Sequence, residues 1–275
     1  MRTFIILSVA ICACLSSCRN GNEKSAAAEL EADKVISTTI DAVVQDQMPQ
    51  VVVTECMDTT VKVTETEGLK LYKPIFYGGV ELSREPLRAC NRVFMAAAAY
   101  TKTYKWTEFS HDLIAGPHIA GKFYEGYDEP ANSGAFYFKN SSYSWGFVHD
   151  GFENTLKEVA AKEEGATGFS QVMLVYDGSA CSIHPNARPR KLALRRALCE
   201  LDGDLYIIDS KREVTMYDFI ESLLAQGVKH ALYMDMGGMK YSLYKEYYDG
   251  EWIEIHPANA NTKYCTNYLV FYYVN

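Results

Sequence analysis

Residues Thr215 to Met239 read TMYDFIESLLAQGVKHALYMDMGGM, and their pattern decides the fold. Thr215 can cap a helix together with Asp218 three residues on. Met216, Phe219, Ile220, Leu223 and Leu224 recur at the spacing that lines one helix face, and Gly227 supplies the C-terminal stop. A short apolar strand, Ala231 to Met234, follows and ends at Asp235-Met236-Gly237-Gly238-Met239. The strand would hold the Asp235 carboxylate at a sheet edge. Two glycines would let the backbone turn with positive φ and bring its N–H groups close to a phosphate or a metal–phosphate pair. The same residues also fit a plain turn whose aspartate caps its own backbone.

Outward from this unit the chain is mostly strand. Val51 to Val53 and Thr60 to Thr66 are β-branched runs, and Gln171 to Tyr176 is an apolar run closed by Asp177-Gly178. Leu192 to Leu201 meets Asp204 to Asp209 across Asp202-Gly203, a dipeptide that favours a tight hairpin. Asp249-Gly250 joins Tyr241 to Tyr248 with Trp252 to Ile255, and Tyr268 to Val274 reads as a closing strand. Further helices are expected over Arg92 to Tyr100 and Thr155 to Glu164. The expectation is an α+β fold: a strand-rich mixed sheet with a few packed helices in a single domain, 35–275, with a small β-rich layer up to about Lys73.

The first residues belong to something else. Phe4 to Leu15 is an apolar run behind Arg2, too short to span a bilayer as a helix, and it ends in Leu15-Ser16-Ser17-Cys18. It reads as a bacterial export signal over 1–17. Leu-Ser-Ser-Cys resembles a lipobox, which makes Cys18 the lipidation site and ties the protein to a membrane of the cell envelope through acyl chains. An ordinary signal peptide that contains cysteines is the alternative. Residues 18–34 hold too little apolar surface to order themselves and read as a flexible tether.

With 27 Lys and Arg against 35 Asp and Glu, the formal charge is −8, so a nucleic-acid partner is not expected: neutralising phosphates along a backbone needs a basic face. The densest basic stretch is Arg188, Arg190, Lys191, Arg195 and Arg196, suited to an anionic substrate or to a solvated strand end. The six histidines include no H-E-x-x-H, and no Gly-x-Ser-x-Gly elbow or Walker loop occurs. Beyond Cys18 lie Cys56, Cys90, Cys181, Cys199 and Cys265, without zinc spacing; an odd number permits at most two disulfides, whose pairing is open. The tryptophans and tyrosines suit stacking on sugar rings and a β-rich core equally.

The stretch from Thr215 to Met239 resembles, without a gap, a segment of the phosphodiester glycosidase family, relatives of the mannose 6-phosphate uncovering enzyme. Thr215, Gly227, Ala231, Leu232, Asp235, Gly237 and Gly238 match that family's helix, strand and Asp-Gly-Gly-Gly-Ser pattern. Upstream, Val172 to Gly178 is similar to the strand and turn before the family's Arg-Thr-Ala motif, where Arg195-Arg196-Ala197-Leu198 stands here. Met236 replaces the first glycine of the triple, Met239 the serine, Arg196 the threonine and Cys199 a glycine.

The resemblance implies a hydrolase of a sugar-1-phosphodiester or related glycan linkage, with a glycan or sugar phosphate as substrate. It implies Asp235 as acid, base or metal ligand, with a divalent metal compatible with the motif, and Gly237 and Gly238 as the loop against the substrate. Arg195 would clamp phosphate as a planar, permanently charged fork; its alternative is a strand-face arginine paired with a carboxylate. A second carboxylate is sought among Asp150, Asp177 and Asp209. In so acidic a chain, the cleft around Arg195 should be a basic island. The replacements at 236 and 239 motivate an alternative, a glycan-binding or envelope-assembly lipoprotein that keeps the fold without turnover.

Overall fold

In the computed structural model, residues 59–75, 77–101, 114–127, 133–237, 240–265 and 267–273 are described. The signal, the tether, Cys18, Cys56, Val51 to Val53, Gly238 and Met239 lie outside them. In chain order the first strands are β1 (Val61–Glu65), β2 (Leu69–Pro74), β3 (Gly79–Ser83), β4 (Arg92–Ala97), β5 (His118–Ala120), β6 (Phe123–Tyr124), β7 (Ser133–Lys139) and β8 (Ser142–Phe147). Helix α1 (Phe152–Lys162) leads to β9 (Thr167–Tyr176), β10 (Ser179–Ala180), β11 (Arg196–Leu201) and β12 (Asp204–Ser210). Helix α2 (Met216–Ala225) precedes β13 (His230–Tyr233), β14 (Ser242–Lys245), β15 (Trp252–His256) and β16 (Tyr268–Tyr272).

The chain is strand-rich α+β, and its strands sort into two sheets whose ladders between these strands are all antiparallel. The larger runs β1-β2-β12-β11-β13-β9-β5-β6, with β7, β8 and β10 attached through β9 and β7. The smaller runs β15-β14-β4-β16-β3. Of the β-rich start of the chain, the described part joins the larger sheet: β2 pairs with β12 and carries β1 onto its edge.

Alternation along the strands divides the core. On one face of the larger sheet Leu198, Ile207, Leu232 and Phe136 meet Phe94, Ala96, Leu269 and Phe271 of the smaller sheet. On its other face Ala197, Cys199, Leu174 and Tyr233 receive Met216, Phe219, Ile220 and Leu223 of α2. Each Leu, Ile, Phe or Met side chain among them removed from water contributes about 1.5–3 kcal/mol. The helix starts as its sequence dictates: the Thr215 hydroxyl accepts from the Asp218 N–H, and the Asp218 carboxylate accepts from the Thr215 N–H. Gly227 ends it with φ +84°, a conformation that costs glycine nothing. The Asp202-Gly203 hairpin also forms, with both residues at positive φ (53° and 79°) as a two-residue turn between twisted strands requires.

One element reverses its expectation. Arg92 to Tyr100, alanine-rich and expected as a helix, forms β4 between β14 and β16. Its alternate residues enter different clusters, Phe94 and Ala96 between the sheets, Met95 and Ala97 on the outer face with Val270 and Leu243. Two ladders and burial on both faces outweigh helix propensities that differ by tenths of a kcal/mol per residue. The helix expected over Thr155 to Glu164 is α1, begun three residues earlier, and the strand expected from Leu192 begins only at Arg196.

Candidate functional site

The hairpin register places Arg196 directly opposite Asp209 at the open end of the β11–β12 ladder. Their side chains point into the space between the sheets, where both are almost wholly buried. Arg196 Nε donates to Asp209 Oδ1 at 2.6 Å and Nη2 to Oδ2 at 2.6 Å, a bidentate ion pair. Nη2 also donates to Ser242 Oγ at 3.0 Å, and His256 Nε2 lies 3.4 Å from Asp209 Oδ2. Ser242 and His256 face one another across the β14–β15 ladder of the smaller sheet, so the pair stitches both sheets together. Burial alone would push the Asp209 carboxyl up, but the Arg196 charge and hydrogen bonds, with His256, outweigh it and hold Asp209 below the usual carboxylate range.

The third nitrogen of this fork is open. Arg196 Nη1 is buried and has no hydrogen-bond partner among the described residues. A guanidinium N–H withdrawn from water without an acceptor is costly, and it is the natural contact for an anionic oxygen.

Asp235 arrives at the same place from β13. The Met234 N–H still donates to Arg196 O at 2.9 Å, on the larger sheet, whereas the Asp235 N–H donates to Ala98 O at 2.7 Å, beyond the end of β4 on the smaller one. The backbone thus crosses from sheet to sheet within one residue, leaving Asp235 as a residue only 7% exposed. Its Oδ1 accepts the Gly237 N–H at 2.8 Å. Burial raises the Asp235 pKa, and the Gly237 N–H and the Arg196 charge offset this only in part. Around it, Tyr233, Tyr268, Tyr100 and Cys265 are held in their proton-bearing forms, chiefly by burial, the Cys265 thiol pushed up to about 12. Asn267 closes this end by exchanging hydrogen bonds of 2.7 and 3.1 Å with the backbone of Ala99.

The turn differs from its expectation at Gly237, which does not take a positive φ. Its small size matters instead: a Cβ there would lie 3.2 Å from Asp235 Oδ1. Met236, at the position of the family's first glycine, is buried.

Arg195 follows strand alternation to the opposite face. Its guanidinium donates to Val214 O at 3.4 Å, to the Tyr233 hydroxyl at 3.4 Å and to Lys191 O, and it lies 5.8 Å from the Tyr233 ring centre. It is 4% exposed, so the surface cations of this stretch are Arg188, Arg190 and Lys191, not Arg195. Both Arg195 and Asp235 act electrostatically on Tyr233 and Tyr100, but the cation that acts on Asp235 itself is Arg196. Of the three aspartates considered as second carboxylate, Asp209 joins the site, while Asp150 and Asp177 are exposed turn residues.

The signal for Arg196 was present in the sequence: counting six residues outward from each side of the Asp202-Gly203 turn pairs it with Asp209. Ser242, His256 and Asn267 carried no such signal. Among the described residues no group of three or more His, Cys, Asp or Glu is placed to hold a metal ion. Cys90, Cys181, Cys199 and Cys265 are free thiols. Trp145 packs between the sheets and Trp252 against the outer cluster of the smaller sheet.

Fold and site thus define an antiparallel two-sheet α+β protein with a buried arginine–carboxylate centre where the sheets meet. No family model matches the chain, and no curated protein does. Among solved structures it is distantly similar to the catalytic domain of zebrafish N-acetylglucosamine-1-phosphodiester alpha-N-acetylglucosaminidase, auto-inhibited by its pro-peptide. That likeness has 12% identity and a TM-score of 0.47, covering 79% of this chain and 83% of the other. A hypothetical protein from Synechocystis is similar at 11% identity and a TM-score of 0.39, over 77% of this chain and 61% of that one.

Proposed function

We propose that the protein is an envelope-anchored hydrolase of a sugar-1-phosphodiester or a related glycan linkage. The observation that carries this reading is the open Nη1 of buried Arg196 beside a carboxyl group whose pKa burial has raised. Two carboxylates bound to one arginine's field are pushed apart in pKa, which separates their roles. Asp209, held below the usual carboxylate range, fixes the guanidinium. Asp235, whose pKa burial raises, serves as the acid. The similarity of Thr215 to Gly238 to the phosphodiester glycosidase motif supports the same assignment from the sequence side.

In this reading a phosphate oxygen of the substrate accepts from Arg196 Nη1. Water adds to the anomeric carbon as the bond from that carbon to the phosphate oxygen breaks. Asp235 gives its proton to the departing phosphate, and the proton of the attacking water passes to solvent. Phosphate is already a good leaving group, so most of the work is stabilising its charge and directing the water. Gly237 and Gly238 shape the loop against the substrate, while Arg195 positions the stretch from Lys191 to Val214 on Tyr233.

The test is release of free sugar from N-acetylglucosamine-1-phosphodiesters by the wild type, Asp235→Ala and Arg196→Lys. Release by the wild type that both variants lose supports the reading; no release across the substrate panel, or equal release by wild type and Asp235→Ala, overturns it. The buried Met236 in the loop favours the second reading, a glycan-binding lipoprotein without turnover. Saturable glycan binding with no hydrolysis would establish that reading. Anchoring through Cys18 at the envelope is part of the proposal, tested by incorporation of labelled fatty acid into the wild type and its loss in Cys18→Ala; no helix among the described residues is long and apolar enough to cross a membrane.

A further inference from the structure

The basic stretch that Arg195 leaves behind forms a feature of its own. Arg188, Arg190 and Lys191, with Pro185, Pro189 and Tyr217, line a cleft of about 400 Å³. The three cations are exposed, and among the described residues none makes a side-chain hydrogen bond or ion pair. Among the described residues no carboxylate lines the cleft, although the protein carries a net charge of −8.

The cleft is also built on a fixed backbone. Pro185 O accepts the Arg188 N–H at 2.9 Å, and Arg188, in the left-handed region at φ 51°, accepts the Lys191 N–H through its own carbonyl at 3.0 Å. Pro189 O accepts the Met216 N–H at 2.8 Å, tying the loop to the start of α2. Tyr217, the next residue on that helix, is 42% exposed and lines the cleft together with the three cations. Unpaired like charges held together on a rigid loop repel one another, and an anion relieves that repulsion. An aromatic face beside them adds an apolar contact suited to a sugar ring.

We propose that this cleft binds a phosphorylated sugar, the phosphate held by Arg188, Arg190 and Lys191 and the sugar stacked on Tyr217. None of its lining residues belongs to the Arg196–Asp235 centre, so the site stands whether or not that centre turns over a substrate.

The experiment is calorimetric titration of the full chain with glucose 6-phosphate, inorganic phosphate and glucose. Glucose 6-phosphate binds, inorganic phosphate binds more weakly, and glucose does not bind. Arg190→Glu/Lys191→Glu weakens glucose 6-phosphate by at least about tenfold. Tyr217→Ala weakens glucose 6-phosphate by about threefold or more and leaves inorganic phosphate unchanged. Arg188→Asn, which tolerates the left-handed backbone, weakens both and serves as the second charge variant. Asp235→Asn binds as the wild type does. Failure of the wild type to bind glucose 6-phosphate, equal binding by the charge variants, or loss of binding in Asp235→Asn overturns the proposal. Retention on phosphatidylglycerol vesicles that depends on these cations, without binding of the soluble sugar phosphate, reassigns the cleft to a membrane surface and equally overturns it.

Discussion

Arg196 faces Asp209 across one antiparallel ladder and donates two hydrogen bonds of 2.6 Å to its carboxylate, both side chains almost wholly buried. Everything at the centre is arranged around that pair. Ser242 and His256 approach it from the smaller sheet, and Asp235 sits within the field of the same guanidinium.

Removing one partner leaves the other charged and alone. Asp209→Ala should cost about 3–5 kcal/mol of unfolding free energy by urea denaturation, whereas Arg196→Met/Asp209→Leu should recover most of that loss. A single variant as stable as the wild type would show that the pair carries no such cost.

Stability should respond to pH in opposite directions at the two carboxylates. The folded-state pKa of Asp209 is depressed: its contribution is present above the unfolded value and is lost as pH falls through the folded one. That of Asp235 is raised, first by burial, so its contribution is full below the unfolded value and is lost as pH rises through the folded one. Asp235→Asn removes only the second effect and can still accept from the Gly237 N–H. Its stability relative to the wild type should therefore rise with pH across the acidic range, read by denaturation at a series of pH values. A difference that stays flat with pH would sink burial as the cause. If Asp235 is the acid, the same variant should lose sugar release by about a hundredfold or more.

Gly237→Ala places a methyl group 3.2 Å from Asp235 Oδ1 without demanding an unusual backbone. The carboxylate must move by a few tenths of an ångström. Hydrolysis should fall while the thermal midpoint stays nearly unchanged. A large loss of stability would mean that the loop, not the carboxylate position, requires glycine.

Thr215→Ala removes an acceptor for the Asp218 N–H at 3.1 Å and one half of a reciprocal cap. The expected cost is about 1 kcal/mol, restored by Thr215→Ser. Equal stability of the alanine variant would show that packing against Leu223 and Phe219 holds the helix start unaided.

What the sequence by itself determined are the features whose causes lie within a few residues. The Thr215–Asp218 cap, the apolar face of α2, the Gly227 stop and the Asp202-Gly203 turn are local, and each can be read from adjacent side chains and backbone preferences. The turn even dictated that Arg196 faces Asp209. Only the tertiary structure decided that Arg92 to Ala97 is a strand, because two ladders brought by residues more than a hundred positions away outweigh alanine's preference for helix. It also decided which arginine enters the centre. Alternation sends Arg195 and Arg196 to opposite faces, and only the packing of the second sheet makes one of those faces a closed, water-poor site. The raised pKa of Asp235 has the same origin, since a carboxylate's charge is penalised by what surrounds it in space and not by its neighbours in the chain.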